Sequence, residues 1–294
     1  HPQGYFVLST DQRGKLAEFP NLILDTGLDL FATSGYLSRC FVGSGTVAPT
    51  VNDPQMGSFI AETSVVFDLI TGCATSAPYY SFARYSYRFA AGAAMGNLSE
   101  VGIGQTTGGT RVLLSRALIK DSFGNPTTIT LLPDEILEVT YELRHYIPVN
   151  DVTGSITFTG NLAGTYTYTM RAANATTYVG AGSYGGWNAT DVFTRKIYNG
   201  AVALSGALAA ITTAPSGGQY SSAAVTGPAY VNGTRTTSLK YTWGVTEGNV
   251  PGGIRSIAFS LGIGRYQIEF NPPIPKTNLD TLSLTFSHSW ARKE

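Results

Sequence analysis

The sequence predicts an all-β protein, mainly antiparallel and sandwich-like, with one or two short helices in its N-terminal half. Three observations carry that prediction. The 294 residues include 34 glycines, enough to supply many tight turns. The 17 tyrosines, with abundant Thr and Ser, favour pleated, half-buried surfaces. Several segments also alternate apolar and polar side chains with a period of two, the mark of a strand with one buried face. The length suits one large β-domain or two of ordinary size.

The elements follow in order. In FPNLILDTGLDLF (residues 19–31), Leu22, Ile23, Leu30 and Phe31 have spacings a short helix can use, and Ser34-Gly35 is a stop, so a short helix is expected near 21–33. FVGSGTVAPTVNDPQMGSFIAET (41–63) begins as a strand and breaks at Gly43-Ser44-Gly45. It is expected to restart as one helical turn, with Asp53 as cap and Pro54 at the first position. SFARYSYRFA (81–90) is a strand with an aromatic face made by Tyr85, Tyr87 and Phe89. LSEVGIG and GGTRVLLSRALIK are two strands joined across Gly108-Gly109, and residues 123–126 form a turn. In residues 137–144, Leu137, Val139, Tyr141 and Leu143 share one face and Glu138, Thr140, Glu142 and Arg144 the other. The carboxylates are assigned to the wet side.

Past Pro148 the composition shifts toward Gly, Ala, Thr and Tyr, which places a boundary there. Residues 1–148 form a β-rich first half, and residues 149–294 a Gly/Thr/Tyr-rich second half that can be a second sandwich. TYTYTM (165–170) is a strand, and residues 199–211 fit a helix or a small-residue strand. The closing TLSLTFSHSW aligns Leu282, Leu284 and Phe286 opposite Ser283, Thr285 and Ser287. It echoes ILEVTYELRH, with Leu137 on Leu282, Val139 on Leu284 and Tyr141 on Phe286.

Charged residues make up 13% of the chain and Lys plus Arg equals Asp plus Glu at 19 each, against about a quarter charged in an average protein. So neutral a chain has no electrostatic footprint for nucleic acid or an anionic membrane. No apolar run approaches the roughly 20 residues of a membrane helix, and no signal peptide is recognisable. His1 is a poor successor to a processed Met, so further residues are expected upstream. The two cysteines, Cys40 and Cys73, are read as buried thiols in preference to a disulfide.

Candidate chemistry is sparse. His145 and His288 continue the inward parity of their strands and read as satisfied, partly buried imidazoles. No G-x-S-x-G elbow, C-x-x-C, H-E-x-x-H or D-x-D-x-D-G pattern occurs, so no catalytic, cofactor or metal residues are assigned. Asp134-Glu135 reads as a solvated pair. Glu138 and Glu142 lie about 13 Å apart along one strand, too far for a glycosidase carboxylate pair. Gly102-Ile103-Gly104 and Gly262-Ile263-Gly264 lack the third glycine of a nucleotide loop and read as tight strand connections. YVGAGSYGGW (178–187) is a candidate contact loop, in which Tyr178, Tyr184 and Trp187 can present flat rings to a sugar or a protein neighbour. Asn97, Asn174, Asn188 and Asn232 match N-x-[ST] without a secretory context.

Three segments in succession resemble a module of tailed-bacteriophage virion proteins, chiefly tail-fibre and other tail-associated proteins. They are NLILDTGLDLF, then FVGSGTVAPTVNDPQMGSFIAET, then LSEVGIG with LLSRALIKDSFGNPTTITLLPDEILEVTYELRHY. Together they span residues 21–146, with Met56 where Leu is usual, a volume-conserving exchange. The resemblance implies a non-catalytic structural role in the virion tail, no cofactor, and assembly in the bacterial host cytoplasm. The implied partners are other copies of the chain in a homo-oligomer such as a trimer, and other tail or neck proteins. A collar or capsid-appendage protein fits the same motifs. The alternative class is a carbohydrate- or receptor-binding module for a host surface glycan, or a polysaccharide depolymerase. A division of labour is expected, with the first half docking to the particle and the second facing outward.

Overall fold

The computed structural model describes residues 2–32, 35–74, 77–78, 80–146, 150–172, 195–202, 215–220, 223–261 and 264–293. The chain opens with β1 (Pro2–Thr10), β2 (Gly14–Pro20), β3 (Leu22–Ile23) and α1 (Asp25–Leu30). Next come β4 (Arg39–Gly43), β5 (Phe59–Thr63), β6 (Val66–Cys73), β7 (Tyr80–Phe89) and β8 (Gly96–Leu98). β9 (Glu100–Thr107), β10 (Thr110–Leu118), β11 (Ile129–Leu131) and β12 (Leu137–Tyr146) complete the first half. Two five-stranded antiparallel sheets result, ordered β2-β1-β12-β7-β6 and β3-β10-β9-β4-β5.

The alternation in β12 does what the sequence predicts. Leu137, Val139, Tyr141 and Leu143 are buried and share one core with Phe6, Leu8, Tyr85 and Tyr87 of the same sheet. Val42, Val101, Ile103 and Leu114 close that core from the opposite sheet. Each such side chain contributes about 1.5–3 kcal/mol when taken out of water. The predicted all-β, antiparallel class is what the chain adopts.

The second half holds β13 (Val152–Phe158), β14 (Gly164–Ala172), β15 (Arg195–Tyr198), β16 (Gln219–Tyr220) and β17 (Ala224–Thr226). It ends with β18 (Thr236–Trp243), β19 (Ile254–Leu261), β20 (Gly264–Ile274) and β21 (Leu282–Ser289). Six strands in the order β13-β14-β20-β19-β15-β16 face three, β17-β18-β21. Their core holds Tyr241, Trp243, Ile257, Phe259, Ile268 and Phe270. The change from one core to the other falls between β12 and β13.

The two halves are nevertheless bolted together. Trp290, one residue past β21, is buried in the first core and donates its indole N–H to the Leu28 carbonyl at 2.7 Å. Its ring stacks on Tyr230 at 5.6 Å. Arg292 donates to the Ile23 carbonyl and, with Arg235, to Asp25. Tyr230 and the Gly233 N–H both donate to Asp29.

Three sequence expectations change. The helix runs over six residues only, Asp25–Leu30, because Phe19 and Leu22-Ile23 are taken into β2 and β3. Asp53-Pro54 starts no helical turn. Its carboxylate accepts from the Thr50 N–H and hydroxyl and from Arg116 instead, the same capping chemistry closing a loop. Gly102 and Gly104 are not strand connections but lie inside β9. There a Cβ on Gly104 would sit 2.0 Å from the Val112 carbonyl oxygen, beside the irregularity in the β9–β10 pairing. Residues 203–211 of the undecided segment lie outside the described residues.

Candidate functional site

The residues of the phage-like motifs converge on a clamp in the first sandwich. Glu100 is fully buried and accepts N–H groups from Gly45, Gly57 and Ser58 at 2.7–3.1 Å. Arg116, on the neighbouring strand β10, donates to Glu100 at 2.7 Å, to Asp53, and to the Val47 carbonyl at 3.1 Å. Burial pushes the Glu100 carboxyl up, but the Ser58 and Gly57 N–H groups and the Arg116 guanidinium outweigh it and hold the group below its ordinary value. Glycine is required here by space. A Cβ on Gly43 or Gly45 would fall 2.6 or 2.4 Å from a Glu100 oxygen. Met56 packs beside Leu24, Phe41 and Leu113 on the same side. The clamp pins residues 44–58 across the outer face of the second sheet.

The opening motif works in the same way. Gly27 lets α1 lie on β10, where a Cβ would meet the Leu114 carbonyl oxygen at 2.0 Å. Leu28 and Asp29 are the acceptors for Trp290, Tyr230 and Gly233 described above. The residues of these two motifs therefore serve to build the fold.

Of the residues singled out for chemistry, His145 and His288 line one groove, between the end of β12 and β21, and the others are dispersed. Glu138 pairs with Arg88 at 2.7 Å. Glu142 is buried, not wet as the parity predicts, because Arg84 and Arg144 fold over it at 2.5 and 2.6 Å. Glu135 is also buried, contrary to the solvated reading. It accepts from the Leu132 N–H and from Arg13, which hold its carboxyl below the ordinary value. His145 is buried at the end of β12. His288 is partly buried as expected, and its Nδ1 lies 3.4 Å from the Tyr266 hydroxyl, but its Nε2 has no hydrogen-bond partner among the described residues, so it is not fully satisfied. Cys40 is a buried free thiol, its pKa pushed well up by burial. Tyr178, Tyr184 and Trp187 lie outside the described residues, as do Asn174 and Asn188. Among the described residues, no cluster of three His, Cys, Asp or Glu side chains could hold a metal ion, and no helix is long and apolar enough to cross a membrane.

Among the described residues, one side of the first sandwich is left open. β5 ends one sheet and β6, directly after it, ends the other. The Thr63 hydroxyl donates to the Arg88 carbonyl and the Arg88 N–H to the Val65 carbonyl, which fixes the crossing. Along this edge Phe59, Val65, Val66, Phe67, Leu69 and Ile70 are all 38–56% exposed. The Arg111 guanidinium lies 3.6 Å from the Phe59 ring centre, and that of Arg88 4.2 Å from Phe67, so the two rings are held in place by cations. β6 pairs only with β7 among the described residues and shifts register beside Phe67. Exposed apolar edges pair readily with other chains. Asp68, in the middle of the run, and the bulge are the usual devices that keep such pairing selective. The sequence reading passes over this site. Its signal is the run VVFDLI (65–70), apolar apart from one central charge.

No family model, no curated protein and no solved structure matches the chain.

Proposed function

We propose that the chain is a non-enzymatic structural component of a tailed-phage virion, a tail fibre or fibre-attachment protein that assembles through its β-sheet edges. The observation that carries this reading is the β5–β6 edge. Six large apolar side chains stand exposed there on consecutive strands, several hundred Å² together and about half of the ~800 Å² that each partner buries in a standard interface. A lone soluble subunit rarely keeps so long an apolar edge bare. The motif resemblance supplies the setting, and the engagement of Glu135, Glu138 and Glu142 in ion pairs is in keeping with carboxylates used for architecture.

The test has two parts. Light scattering on the purified chain is expected to give the mass of several copies, and Phe67→Glu combined with Leu69→Lys is expected to reduce it to one. Mass spectrometry of particles that carry the chain is expected to recover it with the tail fraction. A single-copy mass at high concentration, with no recovery from particles, overturns the reading.

A further inference from the structure

The second sandwich has an opening that matches the exposed edge of the first. Six strands face three, so among the described residues part of the longer sheet has no strand across it. A groove of about 630 Å³ results. Its floor is Ile156, Tyr168, Met170 and Ile268, from β13, β14 and β20. One wall is five consecutive residues of β21, Thr285 to Ser289, and His145 and Tyr146 from the end of β12 line it together with Trp290. Neighbours in a strand point to opposite faces, so five in succession can line one groove only if the groove runs along the strand's edge. β21 pairs with β18 on its other side and, among the described residues, with no strand on this one.

We infer that this groove receives β6 of a second copy, which adds to the three-stranded sheet as a fourth strand next to β21. The inference rests on the assembly reading above and names the surface that completes it. Lengths agree: five edge residues span about 17 Å, and the run 65–70 is one residue longer. Charge agrees as well, since no Asp, Glu, Lys or Arg lines the groove, and Asp68 is the only charge in the run. The strand must therefore enter with Asp68 toward water and Leu69, on the opposite face, toward Tyr168 and Met170. His288 lines the same groove, and burial lowers its imidazole pKa to about 4. The ring is thus neutral at pH 7 and adds no charge to the groove.

Such a contact joins two different surfaces, so copies associate head to tail and close into a ring when the rotation allows. An edge-to-edge pairing of β6 with β6 would instead leave the groove out. Two variants separate these cases. The edge variant is Phe67→Glu with Leu69→Lys; the groove variant is Ser155→Arg with Ile156→Lys, on the rim formed by β13. Ser155→Arg alone, at an exposed position, serves if the double change lowers the unfolding midpoint. Light scattering is expected to show each variant as a single copy and their equimolar mixture as a two-copy complex, because one intact edge then meets one intact groove. A groove variant that assembles like the unaltered chain overturns this inference and leaves the assembly reading in place, whether or not it has lost affinity for a neutral glycan or another protein. A single-copy mass for the unaltered chain at high concentration overturns this inference, and with no recovery from particles it removes the assembly reading too.

Discussion

β12 and β21 have nearly the same pattern of apolar residues and opposite positions in the fold. In β12, Leu137, Val139, Tyr141 and Leu143 are all buried, because β1 and β7 flank the strand and a second five-stranded sheet covers it. In β21, Leu282 and Leu284 are buried, but Phe286 and His288 are only partly so, because among the described residues the strand is an edge and the sheet opposite extends beyond it. Matched sheets give a closed core, and mismatched sheets leave a face and an edge for something else. An alternating sequence sets which face of a strand is apolar, but the number of strands laid across it decides whether that face is finished.

The largest expected effect tests whether the closed half is really complete without the open one. Trp290 follows β21 yet fills the first core and donates to Leu28. Trp290→Ala is expected to cost about 3–5 kcal/mol through the cavity and the lost hydrogen bond, read by chemical denaturation. Hydrogen exchange is expected to rise in α1, at the far end of the sequence. A chain ending at Pro148 should be destabilised at least as much, which argues against a clean division of labour between halves. Full retention of stability by either would show the bolt to be superficial.

Nearly as large is the effect of removing the clamp, which belongs to the first half alone. Arg116→Met leaves Glu100 buried without its countercharge and is expected to cost about 3–5 kcal/mol. Asp53 and the loop 44–58 lose their anchor at the same time. Protease cleavage confined to that loop, with the second half still protected, is the expected signature. Arg116→Lys should restore little, since one ammonium cannot reach Glu100, Asp53 and the Val47 carbonyl together.

How far the sequence could be read follows the same division. Local periodicity marks β7, β12 and β21, because each needs only its own residues to show a face. The burial of Glu135 and Glu142 is not legible in the sequence, since two of the covering cations, Arg13 in the β1–β2 turn and Arg84 in β7, come from more than fifty positions away. Asp53 was misread because one side-chain geometry caps helices and closes loops alike. The β6 edge and the β21 groove were missed for a topological reason: nothing in VVFDLI says that it will be last in its sheet.

The open half should also be the pH-sensitive one. His288 has a folded pKa near 4, below the ~6.5 of an unfolded imidazole. Between those values the unfolded chain binds a proton that the folded chain refuses, so stability is full above about pH 6.5 and declines as pH falls toward 4. The loss is expected to be about 2–3 kcal/mol. His288→Phe should flatten this part of the stability–pH curve. An unchanged slope in that variant would mean the ring is solvated and the groove shallower than described.

The smallest effect is expected on the outer face of the closed half. Arg88 and Glu138 pair across β7 and β12 at 2.7 Å, with side chains 45% and 27% exposed. Exposed pairs contribute roughly 0–1 kcal/mol and are weakened by salt. Glu138→Gln should therefore change stability by less than about 1 kcal/mol and lose even that at high ionic strength. The Arg88 guanidinium also lies on Phe67, so freeing it from Glu138 should reach the β6 edge. If self-association in the light-scattering assay changes more than stability does, the face and the edge are coupled through Arg88. If both remain unchanged, the ring is held by β6 packing alone.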